Sequence, residues 1–319
     1  MARVLITGSN GLLGTKLLDQ LVQTGRAEPL AASRGECKNS YLGHFPFWRL
    51  DVADAASVGR VLEAARPDSV IHAAAMTDVD GCERRRDEAW AINAAGTANV
   101  AQACVARRVN LVFLSTEYVF DGQAGPYSED DATNPLGWYA KTKLAGELAV
   151  ARAGGSWSVA RTTVLYGYAP GVRPNFVVWL LDKLRAGERV RVVQDQIGSP
   201  TLADNLAEMV LALALSRANG TYHTVGASVL ARADFATLAA ESFGLDSTLI
   251  EPVPTATMNQ LAPRPLRAGL KMDRFRAAFP DVPVLTAAEG LANLRDQLRA
   301  AGAFPETPGI PGRRARYTE

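Results

Sequence analysis

A tyrosine and a lysine four residues apart form a pair that could carry acid–base chemistry. Tyr139 and Lys143 lie in the stretch WYAKTKLAGE, and this spacing places both side chains on one face of a helix. A phenol with a pKa of about 10 exchanges protons poorly at neutral pH, but a neighbouring ammonium stabilises the phenolate. We therefore expect Lys143 to lower the pKa of Tyr139 towards the range in which proton exchange is efficient.

A glycine-rich turn follows the first apolar run of the chain. Gly8, Gly11 and Gly14 in GSNGLLG directly follow a predicted strand and open a predicted helix, which is the context that a dinucleotide-binding turn requires. Glycines let the backbone approach a pyrophosphate, and the helix N-terminus offers free N–H groups. A turn with glycines for backbone reasons alone is the alternative, and the context favours a bound dinucleotide.

Two hydroxyl groups at the end of another apolar run are candidates for the same site as the Tyr139–Lys143 pair. The stretch LSTEYVFDG (114–122) follows VNLVF, so Ser115 and Thr116 could be ordinary strand-end caps. Their position between the glycine turn and the Tyr139–Lys143 pair instead predicts a shared site. Both hydroxyls are predicted to lie in that site, where Ser115 would cap the strand and line the cofactor.

The ends of the next strands indicate which dinucleotide binds. An acidic residue after the second strand would bond an adenosine ribose, but this chain has Ser33 and Arg34 there. A hydroxyl and a guanidinium suit a 2′-phosphate, so NADP(H) is favoured over NAD(H), with a solvated Arg34 as the alternative. Asp51, followed by Val52, is predicted either to lie beside the adenine or to cap the next helix. Small residues in HAAAMT (72–77) would let the backbone run close to the cofactor, or simply pack tightly.

Alternating strands and helices in the first half of the chain must position these residues. Strands are predicted at 3–7, 29–33, 47–50, 69–73, 111–115 and 158–163, and helices at 12–24, 55–65, 87–107 and 138–153. This order indicates an α/β fold, a doubly wound parallel sheet of Rossmann type with a smaller, mostly helical C-terminal lobe. The predicted division is a dinucleotide-binding domain at 1–167 with a returning segment at about 202–225, a substrate-binding lobe at 168–201 and 226–304, and a tail at 305–319.

The composition argues against several classes of protein. The chain has 34 Lys and Arg against 33 Asp and Glu, so no field attracts nucleic acid or an anionic membrane. The 3 cysteines are too far apart to indicate a disulfide framework, and the 3 histidines lack the spacing of metal ligands. No stretch has the length of a signal or membrane-spanning segment. We expect a cytoplasmic protein that holds no metal and is a monomer or a homodimer.

Together these motifs resemble the extended short-chain dehydrogenases/reductases, and more narrowly the dTDP-4-dehydrorhamnose reductase group. The resemblance covers nearly the whole chain and also rests on VDGCE (79–83), Asn93, PYSEDD with NPLGWYAKTKLAGE, RTTVLYG (161–167) and DQIGSPT (195–201). It implies NADPH-dependent reduction of a nucleotide-linked 4-keto-6-deoxysugar. Tyr139 would give a proton to the keto oxygen while the nicotinamide gives hydride to the carbon. Lys143 would hold the nicotinamide ribose, and Thr116 would hydrogen-bond the reacting oxygen.

The motifs and the resemblance predict three sets of site residues. The catalytic set is Thr116, Tyr139 and Lys143. The cofactor-binding set is Gly8, Asn10, Gly11, Leu12, Leu13, Gly14, Ser33, Arg34, Asp51, Val52, Ala73, Ala74, Ala75, Asn93, Ser115, Tyr139 and Lys143. The substrate set is Thr77, Glu117, Val164, Asn175, Phe176, Gln196 and Ser199.

Three positions depart from the pattern of the reductase group. Glu117 stands where the group usually has Asp, and Ala140 stands where it often has Gly. Val164 stands where the group commonly has Trp, so an aromatic wall beside the sugar is replaced by a smaller side chain. The reaction type is expected to persist, whereas the identity of the sugar is left open.

Two alternatives to a reductase remain open at this point. A nucleotide-sugar epimerase or dehydratase would hold NAD tightly, and Ser33 with Arg34 argues against it. A regulatory subunit without turnover, resembling the β subunit of methionine adenosyltransferase, would share an apolar residue before Leu165-Tyr166-Gly167, as Val164 is here. The intact DQIGSPT segment argues against that reading.

Overall fold

A parallel sheet forms the centre of the protein. The computed structural model describes residues 1–304, so the predicted tail at 305–319 lies outside the described residues. The strands are β1 (Arg3–Thr7), β2 (Glu28–Ser33), β3 (Phe47–Arg49), β4 (Ser69–His72), β5 (Asn110–Thr116), β6 (Trp157–Thr162), β7 (Leu165–Tyr166), β8 (Val190–Val193), β9 (Ile197–Gly198), β10 (Thr201–Leu202), β11 (Gly220–His223), β12 (Leu230–Ala231) and β13 (Ile250–Val253). Seven of them pair in the order β11-β6-β5-β4-β1-β2-β3, all parallel. The predicted doubly wound parallel sheet is confirmed.

Helices cover the sheet on both faces. They are α1 (Leu12–Thr24), α2 (Ala55–Ala65), α3 (Val79–Arg84), α4 (Arg86–Trp90), α5 (Gly96–Arg107), α6 (Trp138–Ala153), α7 (Phe176–Arg185), α8 (Ala203–Ser216), α9 (Arg232–Ser242), α10 (Asp273–Ala278) and α11 (Ala287–Ala300). One face packs Leu17 of α1 and Leu206 of α8 against β1, and the other packs Leu62 of α2 and Val100 of α5. None of the helices in residues 1–304 is long and apolar enough to span a membrane.

The structure differs from the sequence predictions in two helical regions. The helix predicted at 87–107 is α4 and α5 joined by a π-helical turn, Ala91–Ala95. Helix α3 was not predicted, because six residues are too few to show a helical repeat of apolar side chains. Asp78 caps α3 by accepting a hydrogen bond from the Gly81 amide over 2.9 Å.

A second hydrophobic core lies beside the sheet. It contains Leu180 of α7, Val192 of β8, Phe235 of α9 and Leu291 of α11, all buried. Most of its buried members come from the two segments that the sequence assigns to a C-terminal lobe, and Tyr166 and Leu202 join it from outside them. The boundaries of that lobe at 167, 201 and 226 stay a prediction.

Buried histidines link the sheet to its neighbours. The His72 ring bonds Thr7 Oγ1 over 2.7 Å and Thr97 Oγ1 over 3.2 Å, and His223 bonds the Lys271 carbonyl over 3.0 Å. Burial lowers the pKa of His72 to about 3, and the charge of Lys143 acts in the same direction. Burial also lowers the pKa of His223 to about 3, helped by the charge of Arg161.

These histidines make folding sensitive to acid. Because both are neutral when folded, the free energy of unfolding falls as the pH drops from about 6.5 towards about 3, by up to about 1.4 kcal/mol per pH unit for each ring. Urea unfolding of His223→Gln between pH 7 and 5 should show a weaker pH dependence than the unmodified protein. The exposed His44, changed to Gln, is the control and should keep the original dependence. An unchanged dependence in His223→Gln would contradict the prediction.

Candidate active site

A cavity of about 740 Å³ opens at the carboxyl ends of the central strands. In parallel sheets of this order, ligands bind at this edge, where the strand order reverses. Most of the predicted cofactor and catalytic residues line it: Gly8, Gly11, Leu12, Leu13, Gly14, Ser33, Arg34, Asp51, Val52, Ala73, Ala74, Ala75, Ser115, Thr116, Tyr139 and Lys143. The fold therefore brings together predicted cofactor and catalytic residues that are up to 135 positions apart, the separation of Gly8 and Lys143 in the chain.

The glycine turn has the close backbone packing that a pyrophosphate site requires. Gly8 has a positive φ of 71°, and a Cβ there would lie 2.7 Å from the Ala74 nitrogen. A Cβ on Gly14 would lie 2.6 Å from the Ser9 Cα. The first bond of α1 joins the Thr15 amide to the Gly11 carbonyl, so the amides before it lie at the free N-terminus of the helix beside the cavity. These residues fit a dinucleotide.

Residues after β2 and β3 close the far end of the cavity. Ser33 is half-buried and Arg34 is exposed, and both line the cavity at the end of β2. Asp51 also lines it, and its carboxylate accepts from the Ala53 amide over 3.0 Å. The alternative that Asp51 caps α2 is wrong, because Asp54 is the cap and accepts from the Ala56 amide.

Two helices position the tyrosine and the lysine. Tyr139 and Lys143 lie in the first turns of α6, whose Trp138 amide donates to Glu83 of α3 over 2.6 Å. Thr116 is the last residue of β5, and its side chain is 6% exposed. The Tyr139 and Tyr118 rings pack edge to face, with the ring centres 6.0 Å apart. The three predicted catalytic side chains thus meet in one cavity.

The acid–base properties of Tyr139 differ from the sequence prediction. Burial raises the pKa of its phenol, and the charge of Glu117 raises it further. The pKa of Tyr139 is therefore raised and not lowered, because desolvation is the largest effect on it, while the separate effect of Lys143 stays a prediction. A raised pKa keeps the phenol protonated at neutral pH, which is the form that donates a proton.

A buried ion pair supports Lys143. Burial lowers the pKa of Lys143 to about 7, and the charge of Glu147, one turn along α6, raises it. Glu147 pairs with Arg161 of β6 over 2.7 Å, with both side chains at most 7% exposed. Ser115 donates to the same carboxylate over 2.5 Å, so it joins β5 to α6 as well as lining the cavity. The pair fixes α6 against the strand ends.

Two residues of the predicted cofactor set do not line the cavity. The Asn10 side chain donates to the Glu36 carbonyl over 2.7 Å and accepts from the Lys38 amide over 3.0 Å. Asn93 is fully buried, and its amide bonds both the nitrogen and the oxygen of Met76. Asn93 therefore holds Met76, which lines the cavity, whereas the partners of Asn10 do not line it.

The predicted substrate residues also divide into those that line the cavity and those that do not. Thr77, Glu117 and Val164 line the cavity, and Val164 has a positive φ of 43°, which is strained for a β-branched residue. Four others do not line it: Asn175, Phe176, Gln196 and Ser199. Asn175 caps α7, Gln196 bonds Thr255 and Gln260, and the Ser199 hydroxyl accepts from the Leu270 amide. Phe176 packs under the Arg232 guanidinium, 5.0 Å from its ring centre.

Several residues that line the cavity were missed in the sequence, and three of them lie beside Glu117. Tyr118, Thr163 and Arg232 line the cavity beside Glu117. Tyr118 and Thr163 lie inside motifs that were recognised, so their place next to Thr116 and Val164 was a usable signal. Arg232 begins α9, 116 positions after Thr116, and no local pattern points to it. Among residues 1–304, no group of His, Cys, Asp and Glu is placed to hold a metal ion.

The sheet order, the glycine turn and the cavity at the strand ends define a dinucleotide-binding protein of the Rossmann class. Within that class, the chain belongs to the RmlD substrate binding domain family, whose model matches residues 2–298. A relative from Mycobacterium tuberculosis, a dTDP-4-dehydrorhamnose reductase, is 37% identical over 283 residues, covering 86% of this chain and 87% of the relative.

Solved structures show the same likeness. The crystal structure of a dTDP-4-dehydrorhamnose reductase from Clostridium acetobutylicum has a TM-score of 0.82 and 31% identity, covering 93% of this chain and 99% of that one. The structure of a dTDP-4-dehydrorhamnose reductase from Bacillus anthracis in complex with NADP has a TM-score of 0.83 and 30% identity, covering 93% and 100%. The family resemblance expected from the motifs is confirmed.

Proposed function

We propose that the protein is an NADPH-dependent reductase of a nucleotide-linked 4-keto-6-deoxysugar, dTDP-4-dehydrorhamnose being the first candidate. The observation that carries the proposal is the meeting of Thr116, Tyr139 and Lys143 in the cavity that also holds the glycine turn. The reductase names of the relatives from M. tuberculosis and B. anthracis support it. The sheet-centred residues 1–167 would hold the cofactor, and 168–201 with 226–304 would hold the sugar.

The residues of the cavity divide the work of the reduction. Gly8, Gly11 and Gly14 would hold the pyrophosphate, and bound NADPH would supply the hydride. Tyr139, kept protonated by burial, would donate its proton to the keto oxygen. Lys143 would hold the nicotinamide ribose, and Thr116 would hydrogen-bond the keto oxygen. Solvent returns the proton to Tyr139 after the step.

An assay of NADPH consumption tests this proposal. Purified protein mixed with NADPH and dTDP-4-dehydrorhamnose should lose the absorbance of NADPH as the sugar is reduced. A small panel of other nucleotide-linked 4-keto-6-deoxysugars is included because Val164 stands where the reductase group commonly has Trp. No consumption with any of these sugars would contradict the proposal, and protein that carries NAD and ignores added NADPH would favour an epimerase or dehydratase.

Arg34 should decide between the two dinucleotides. A charge-assisted hydrogen bond contributes about 1.5–3 kcal/mol, so Arg34→Ala should weaken NADPH binding by about 10- to 100-fold. NADH binding should change little, because it lacks the 2′-phosphate. Titration of both dinucleotides by fluorescence measures the two changes. Arg26→Ala, at an exposed arginine outside the cavity, is the control, and an equal loss for NADPH and NADH in Arg34→Ala would refute this role.

A further inference from the structure

The only proton of the Thr116 hydroxyl is directed at Glu117. Thr116 Oγ1 donates to Glu117 Oε2 over 2.9 Å, and the same oxygen accepts from the Tyr118 amide over 3.2 Å. A hydroxyl has one O–H to give. In this arrangement Thr116 has no proton left for a keto oxygen, so the proposed role of Thr116 requires its hydrogen bond to Glu117 to reverse.

The surroundings of Glu117 allow that reversal. Its side chain is 6% exposed, and its other oxygen, Oε1, accepts from the hydroxyl of Thr163. The titratable and charged groups that face it are Arg232 at the start of α9, the adjacent Tyr118, and Tyr139 of α6. Burial raises the pKa of Glu117 to about 7, and the hydrogen bonds from Thr163 and Thr116 and the charge of Arg232 act in the opposite direction.

We propose that Glu117 is a positioning residue whose protonation turns the Thr116 hydroxyl towards the substrate. A protonated carboxyl donates its own O–H to the Thr116 oxygen, which frees the Thr116 proton to point into the cavity. An ionised carboxylate can only accept, so the Thr116 hydroxyl again donates its hydrogen bond to Glu117. The inference rests on the proposed reductase function and deepens it, since it identifies the form of the site that is competent for reduction.

Glu117 is chemically unchanged by the reduction: it neither gains nor loses a proton or electrons. The keto carbon accepts a hydride from NADPH, which leaves NADP⁺, and the keto oxygen accepts the Tyr139 proton. The C=O double bond becomes a C–H and an O–H bond. Throughout this step Glu117 keeps its proton and orients Thr116, so it acts through Thr116 and not on the reacting atoms.

The pH dependence of kcat/KM tests the inference. In the unmodified enzyme kcat/KM should fall up to about tenfold per pH unit above the pKa of Glu117. Glu117→Gln cannot ionise and should lose this fall. Thr163→Val should move it to higher pH, because it removes a donor that stabilises the carboxylate. Thr224→Val, at a buried threonine outside the cavity, should leave its position unchanged.

An infrared titration separates failure of this inference from failure of the proposed function. The C=O band of a protonated carboxyl should disappear between about pH 6 and 8 in the unmodified protein and be missing from Glu117→Gln. This measurement needs no sugar and no turnover. The inference is overturned if the band difference is absent, or if an active Glu117→Gln keeps the original pH profile. If Glu117→Gln does not fold, an unshifted profile in Thr163→Val overturns it instead.

Discussion

Replacing Tyr139 by phenylalanine is expected to lower kcat by about 10²- to 10⁴-fold, the range that a positioned general acid contributes. The substitution removes only the phenolic oxygen, and the ring keeps its contact with Tyr118. NADPH binding should persist, because the glycine turn is untouched. Steady-state kinetics with a 4-keto-6-deoxysugar nucleotide and fluorescence titration with NADPH measure the two quantities.

A phenol outside the cavity provides the control for this variant. Tyr222 lies in β11, and its hydroxyl bonds the Asn219 carbonyl over 3.4 Å. Tyr222→Phe removes the same atom from the protein and should leave kcat within about twofold, because surface changes of this kind cost little. If Tyr139→Phe retained the kcat of Tyr222→Phe, Tyr139 would not be the proton donor.

Gly14→Ala is expected to abolish the stabilisation of the protein by NADPH. The new Cβ would lie 2.6 Å from the Ser9 Cα, so the turn must move away from the helix. Overpacking of this kind costs about 1–3 kcal/mol of folding stability. Bound NADPH should raise the midpoint of thermal unfolding of the unmodified protein by mass action. In Gly14→Ala this rise should be absent.

Another helical glycine separates a local clash from a general effect of alanine. A Cβ on Gly59 of α2 meets no atom within 4 Å. Gly59→Ala should therefore stabilise the protein by about 0.5–1 kcal/mol, the usual advantage of alanine in a helix. It should also keep the full rise with NADPH. A normal rise in Gly14→Ala would show that the close packing of the turn is not needed for binding.

Local chemistry explains which parts of the fold were predictable. The predicted bounds of α1 and α2 agree with the structure, in which Gly25 in the left-handed region ends the first helix. The second is capped by Asp54, three residues after the Asp51 that the sequence suggested. The parallel sheet follows from alternating strands and helices of suitable length. Helix α3 escaped prediction because its six residues carry no repeat.

The cavity was predictable only where its residues lie at strand ends or in motifs. The glycine turn, Thr116 and Tyr139 are of this kind. Arg232 is different, because the path of the chain after β12 brings it to the cavity, and no local pattern encodes that path. The amides of Asn10 and Gln196 were assigned to ligands because their partners, 26 to 64 positions away, could not be read from the sequence.

The extent to which a side chain is buried was the main property that the spacing of residues in the sequence could not predict. The separation of Tyr139 and Lys143 predicted their common face, but the sign of the pKa change at Tyr139 depends on how much solvent the fold removes. The same holds for Glu117. Its identity suggested a longer carboxylate facing the sugar, whereas the structure ties both of its oxygens to threonine hydroxyls.

Transfer of deuterium from labelled NADPH to the sugar tests the central proposal most directly. The protein is mixed with NADPH that carries deuterium in the transferred position and with dTDP-4-dehydrorhamnose, and the nucleotide sugar is analysed by mass spectrometry and NMR. We predict one deuterium atom at C4 of the reduced sugar for each NADPH consumed. Recovery of the sugar without deuterium, or its epimerisation without loss of NADPH, would contradict a reductase.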